Sequence, residues 1–185
     1  MTITNDIDPT ALEQTIDAVR SNPRLGQVTF SVSGEWTGGF RLQSSTGPLR
    51  QGDTLDESRT GRFSMSSDEP TALLGTDSAV SPGEYIAQAL AGCYAVTLAA
   101  SATALGINLR AMAMDIEIDF DLRAFLGIET TTPAGARTIR AQVKLDAPDS
   151  SPEQLKKLMG LLEQRSPIRD TLTRAVEVIT TLESL

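Results

Sequence analysis

Between Glu84 and Arg110 no charged residue interrupts the chain. An uncharged run of this length belongs either in a protein core or in a bilayer. Its start is marked by Ser81-Pro82-Gly83-Glu84. Serine at the N-cap, proline at the first helical position and glutamate three residues after the serine form a capping box. Gly106 supplies the stop, so the spacing predicts one long helix running to about Leu105. The length would allow a bilayer crossing, but the run is rich in alanine, has few large aliphatics, and carries Gln88, Thr97, Ser101 and Thr103. The expectation is a buried core helix with no membrane partner. The chain's only cysteine, Cys93, lies inside it.

Asp8-Pro9 caps a short amphipathic helix on Leu12, Ile16 and Val19, which ends at Ser21-Asn22-Pro23. Val28, Phe30 and Val32 alternate with polar residues, as in a half-buried strand. Gly38-Gly39 marks a turn, with Phe40 and Leu42 on the next strand. Residues 44–60 read as loop or edge strand, residues 62–65 as a short strand, and residues 67–80 as irregular loop. Two strands follow the long helix. Met112, Met114, Ile116, Ile118, Phe120 and Leu122 alternate with Asp115, Glu117, Asp119 and Asp121. Ile139, Ala141, Val143 and Leu145 alternate with Arg140, Gln142 and Lys144. Antiparallel pairing sets the basic row across from the acidic one. Ser151-Pro152-Glu153-Gln154 opens a helix whose stripe is Leu155, Leu158, Leu161 and Leu162. Ser166-Pro167 opens another, and Val176, Val178 and Ile179 suggest a closing strand. This order is α+β: helices packed on antiparallel sheet, in one domain over residues 1–185 with a helical extension at 1–25.

Composition removes whole classes of function. The 185 residues carry a net charge of −8, the wrong sign for nucleic acid or an anionic membrane surface. With no histidine, Ser-His-Asp and Cys-His catalysis and His-ligated metals are excluded. One cysteine excludes an intrachain disulfide and a multi-cysteine zinc site. The acidic row at 115–121 lacks the further ligands of a metal site, and Met112 and Met114 read as core. No metal or cofactor is expected. Met1 to Asp6 carries neither a basic region nor an apolar one, so the expected location is cytoplasmic.

From Asp68 onward, several segments occur in an order that resembles the OsmC/Ohr family, the osmotically induced and organic-hydroperoxide-resistance proteins. They are Asp68-Glu69-Pro70 with Leu74-Gly75-Thr76-Asp77, then Ser81 to Cys93, then Gly106-Ile107, Asp119 to Gly127, and Ser166 to Leu172. The resemblance implies an OsmC-like fold, with antiparallel sheets around a long central helix and an intimate homodimer with active sites at the interface. It implies a thiolate that attacks an organic hydroperoxide, becomes a sulfenic acid and is resolved by a second cysteine.

On this resemblance Cys93 is the nucleophile, and it must ionise to act. Glu84 and an arginine from the N-terminal strands would orient it. Glu84 also has a plain role as the capping-box residue. Nine residues before Cys93, it falls on the opposite side of the helix, so its reach is to a partner subunit's thiol. Arg41 is the chosen arginine, with Arg24, Arg50 and Arg62 as rivals and a solvated strand residue as the competing reading. Arg123 lies in a family-like segment without a chemical role. Ser166 occupies the position of the family's resolving cysteine and cannot form a disulfide; its residue type makes it a helix N-cap. An external thiol must then reduce the sulfenic acid. Two functions are thus open: a thiol peroxidase acting on organic hydroperoxides, or a non-catalytic or redox-sensing module of the same fold that binds an apolar small molecule.

Overall fold

The computed structural model describes residues 5–184. Residues 1–4, where no leader pattern is read, and Leu185 lie outside the described residues. The chain forms two compact units. The first is Asp8–Ala87; the second takes Gln88 onward together with residues 5–7.

The first unit opens with α1 (Pro9–Ser21), its N-cap Asp8 accepting from the Thr10 N–H at 2.9 Å. Asn22 ends it and caps a 3₁₀ turn at Pro23–Gly26. Two three-stranded antiparallel sheets follow. One holds β1 (Val28–Thr29), β4 (Leu49–Gln51) and β5 (Thr54–Asp56), in the order β1-β4-β5. The other holds β2 (Val32–Gly38), β3 (Arg41–Thr46) and β6 (Ser64–Ser67), in the order β2-β3-β6.

The Val28–Val32 alternation therefore does not make one strand. Val28 pairs with Gln51 in one sheet and Val32 with Thr46 in the other. The cause lies across the ladder. Gly47-Pro48 interrupts the partner strand, since proline has no N–H to donate. The chain at Phe30-Ser31 changes sheet opposite that interruption, leaving Phe30 75% exposed. Residues 44–60, expected as loop or edge strand, hold the end of β3 and all of β4 and β5. The Gly38-Gly39 turn is as expected, with φ of 102° and 61°, values that favour glycine. Phe40 sits in that turn, not on the strand, because pairing resumes at Arg41.

Asp68 organises the loop before the long helix. Fully buried, its carboxylate accepts the Thr76 hydroxyl at 2.5 Å and the Ser78 hydroxyl at 2.8 Å. It also accepts the N–H groups of Glu69, Thr76 and Ser78 at 2.8 to 3.1 Å. These bonds, that of the Thr76 hydroxyl foremost, hold its proton affinity far below the usual carboxylate range. Gly75 closes the loop so tightly that a Cβ there would meet the Glu69 carbonyl oxygen at 1.7 Å.

The long helix is α2 (Pro82–Ala104), and the chain passes from the first unit to the second within it. The capping box forms as read: the Ser81 N–H donates to Glu84 at 2.8 Å, and the Glu84 N–H to the Ser81 hydroxyl at 3.2 Å. Gly106, at φ 67°, terminates it. Long and apolar enough to cross a bilayer, α2 instead buries Leu90, Tyr94, Leu98 and Ala102 in a globular core. These residues pack with Ile107, Ala147, Leu158 and Leu162. Asn5 ties down the end of this helix, donating to the Ile107 carbonyl at 3.0 Å and accepting from the Leu109 N–H at 2.7 Å.

β7 (Ala111–Asp119) and β8 (Thr138–Asp146) pair antiparallel over their full length. Met112, Met114, Ile116, Ile139, Val143 and Leu145 face the core; the charged face forms the expected ladder. Arg140 reaches Glu117 at 2.8 Å and Asp119 at 2.7 Å, and Lys144 reaches Asp115 at 2.6 Å. Phe120 and Leu122, expected to prolong the strand, lie beyond it. Asp121 caps α3 (Leu122–Phe125) by accepting the Arg123 N–H, so the chain turns. Arg123, without a chemical role in the sequence, clamps this turn onto Asp121 and Glu129 at 2.6 Å each.

α4 (Pro152–Arg165) carries the second capping box and buries Leu158 and Leu162. α5 (Pro167–Thr173) follows directly. The closing strand expected at Val176–Ile179 is not formed. A strand exists only by pairing, and no described strand pairs with this segment, which leaves Val178 84% exposed.

Candidate functional site

Cys93 is half-buried on α2, beside the stripe of Leu90, Tyr94 and Leu98 that fixes the helix in the second unit. The Thr97 hydroxyl donates back to the Cys93 carbonyl at 2.8 Å. What faces the sulfur comes from the junction of α4 and α5. There Ser166 serves both helices. Its N–H closes α4 on the Leu162 carbonyl at 3.1 Å, and its hydroxyl accepts the Arg169 N–H at 3.4 Å as the cap of α5. Pro167 at the first helical position gives up no useful bond, since that N–H is unpaired in any helix. The junction is anchored by Leu158 and Leu162, so Ser166 is 1% exposed and held against α2.

The result is contact between two residues far apart in sequence. Ser166 Oγ lies 3.2 Å from Cys93 Sγ, and the Ile168 N–H donates to the same sulfur at 3.5 Å. Tyr94 adds a further polar group. Burial pushes its phenol up, and the Arg169 guanidinium beside it pulls in the opposite direction. Arg169 also donates to the Glu163 carbonyl at 3.2 Å, which fixes its arm along the end of α4.

Glu84 and Arg41 belong to the first unit, whereas Cys93 belongs to the second. The Glu84 carboxylate is engaged by the Ser81 N–H, whose bond, with that of the Ser81 hydroxyl, lowers its proton affinity. Arg41 donates to the carbonyls of Gly38 at 3.2 Å and Thr37 at 3.4 Å, bracing its own hairpin. Among the described residues, no ion pair joins Arg41 to Glu84. Arg24 pairs with Asp53 at 2.9 Å, and Arg62 lies over the Phe63 ring. Tyr94, Arg169 and the Ile168 N–H went unread in the sequence as neighbours of the thiol. Their one signal was position: Tyr94 follows Cys93, and Ile168-Arg169 follows Ser166-Pro167.

Among the described residues no group of three Cys, Asp or Glu side chains is arranged to hold a metal. The acidic row at 115–121 is occupied by Arg140, Lys144 and Arg123. In the first unit an apolar cleft of about 300 Å³ is lined by Leu42, Ser44, Met65, Ser66, Pro82 and Tyr85. The Tyr85 hydroxyl donates to the Ser66 carbonyl at 2.7 Å across this lining.

A family profile described as "OsmC-like protein" matches residues 75–181. No curated protein matches the chain by sequence. Among solved structures, the chain is similar to an OsmC-like protein from Mycoplasma pneumoniae, with a TM-score of 0.61 at 17% identity over 78% of this chain and 86% of that one. It is similar to an organic hydroperoxide resistance protein OsmC from Legionella pneumophila, with a TM-score of 0.52 at 16% identity, covering 78% and 89%. An organic hydroperoxide resistance protein from Elizabethkingia anophelis gives a TM-score of 0.54 at 14% identity, covering 78% and 88%. At these identities the likeness is one of fold.

Proposed function

The chain belongs to the OsmC-like protein family, and from that premise we propose that it is a one-cysteine thiol peroxidase that reduces organic hydroperoxides through Cys93. The observation that carries this reading is the polar surround of a half-buried thiol: a hydroxyl at 3.2 Å and a backbone N–H at 3.5 Å from Cys93 Sγ. A cysteine kept only as a small core hydrophobe needs neither. The Cys93 thiolate attacks the outer oxygen of the hydroperoxide, and the O–O bond breaks. The alkoxide leaves and takes a proton, so that Cys–SH and ROOH become Cys–SOH and ROH. Ser166 stands at the resolving position, so an external thiol completes the cycle. One R′SH gives a mixed disulfide and water; a second releases Cys93–SH and R′SSR′.

The working unit is a homodimer of one-domain subunits spanning residues 1–185, with 1–25 as a helical extension. Val96 and Gly92 on the exposed side of α2 form the close contact, and each subunit's Glu84 and Arg41 serve the partner's thiol. Reduced thiols are abundant in the cytoplasm, where the reaction is set. The test is intact-mass spectrometry after brief exposure to stoichiometric cumene hydroperoxide with a sulfenic-acid trap present. One adduct on Cys93, formed much faster than on a free thiol, supports the peroxidase; an unmodified Cys93 removes it.

The apolar cleft of the first unit favours a second reading, a module that binds an apolar small molecule without catalysis. An apolar fluorescent dye titrated against wild type and Tyr85→Ala tests it. Equal binding by both would exclude the cleft as the site.

A further inference from the structure

We propose that Ser166 is the hydrogen-bond donor to the Cys93 sulfur, so that the position lacking a second thiol takes part in the redox step through its hydroxyl. This deepens the peroxidase reading and rests on it. A serine hydroxyl has one proton and two lone pairs. Ser166 is buried, so water does not compete for either. A lone pair takes the Arg169 N–H at 3.4 Å, the requirement of the helix cap. Among the described residues, the remaining partner of the hydroxyl is Cys93 Sγ at 3.2 Å. Capping consumes an acceptor, not the proton. The proton is therefore left to the sulfur, because a buried hydroxyl with its proton unmatched is unfavourable.

The direction of this bond matters once the thiol ionises. A thiolate accepts but cannot donate, and a bond to an ionised acceptor is about twice as strong as a neutral one. Ser166 thus favours the state that attacks peroxide. In that attack sulfur gains the oxygen and the O–O bond breaks, while Ser166 keeps its own proton and forms no covalent bond. The sulfenic acid persists until an external R′SH arrives, because a hydroxyl cannot displace it as a thiol would.

The test reads the thiol without peroxide: the pH dependence of Cys93 alkylation by iodoacetamide in wild type, Ser166→Gly and Ser166→Thr. Glycine keeps N-cap stability to within a few tenths of a kcal/mol yet lacks the hydroxyl; threonine keeps the hydroxyl. The other titratable and charged groups of this cluster, Tyr94, Glu163 and Arg169, are common to all three proteins. In Ser166→Gly the pH of half-maximal rate should rise by about one unit, as expected for loss of one charge-assisted bond. Ser166→Thr should restore it. Coincident profiles for wild type and Ser166→Gly would overturn the proposal. If the extra methyl of Ser166→Thr is too large for the buried site, the glycine comparison still decides. The trapping experiment separates the two levels. A trapped adduct with coincident profiles leaves a peroxidase without this donor. A shifted profile without an adduct sinks the peroxidase and leaves the hydroxyl as donor.

Discussion

Three atoms carry most of the chemistry argued for this chain: Cys93 Sγ, Ser166 Oγ and the Ile168 nitrogen. If Cys93 is the nucleophile, Cys93→Ser should abolish hydroperoxide consumption. It should change stability little, since the thiol is only half-buried and serine is nearly isosteric. Consumption equal to wild type in a coupled thiol assay would remove the assignment. Ser166→Cys makes the opposite test. With Oγ already 3.2 Å from Sγ, the introduced thiol is within reach of the sulfenic acid. Peroxide should then give an intramolecular disulfide, with loss of one water from the sulfenic acid and the introduced thiol. Non-reducing peptide mapping that finds Cys93 oxidised and the introduced thiol still free would show that this junction does not resolve.

At the scale of elements, α2 is held by its buried stripe and not by its surface. Leu98 is fully buried among Leu90, Tyr94, Leu158 and Leu162. Leu98→Ala should cost about 3 kcal/mol, the sum of lost transfer and residual cavity, measurable by urea unfolding. The same stripe sets the contact of α2 with the α4–α5 junction, so the variant should also slow Cys93 alkylation. The charged ladder of β7 and β8 belongs to another class of interaction. Its partners are exposed, with the side chains of Arg140 and Lys144 at least half accessible. Such pairs contribute roughly 0–1 kcal/mol each; they set register and discourage slippage more than they stabilise.

At the scale of the molecule, acid is the informative perturbant. Asp68 is held far below the ordinary range by its five hydrogen bonds, and Arg123 lowers Asp121 to about 2. Asp56, Glu84, Asp119 and Glu153 shift the same way. These groups bind protons less readily folded than unfolded, so protonation favours the unfolded chain. Their stabilisation is complete above about pH 4, the unfolded value, and is lost as pH falls toward about 2. Asp68→Asn should lower the melting temperature at pH 7 and flatten its fall in acid. An unchanged slope would show that Asp68 does not drive the transition. The proposed homodimer gives a second expectation at this scale. Val96 is 71% exposed on α2, and Val96→Arg should convert a dimer to monomer in analytical ultracentrifugation. A monomeric wild type would remove the assembly.

Features that depend on neighbours along the chain can be read from the order of residues. Both capping boxes, the Gly106 stop, the Gly38-Gly39 turn and the opposed charge rows of β7 and β8 were legible, because periodicity and terminal hydrogen bonds span only a few residues. Whatever depends on a distant partner was not. The Val28–Val32 alternation could not show that Gly47-Pro48 across the ladder would split it between two sheets. Val176–Ile179 has the residues of a strand but no strand beside it. Cys93 and Ser166 could be named from the order of segments, but their separation of 73 positions left their distance open. That distance was decided by Leu158 and Leu162 packing on α2, a tertiary fact, because a short helix turn points wherever its anchoring side chains are buried.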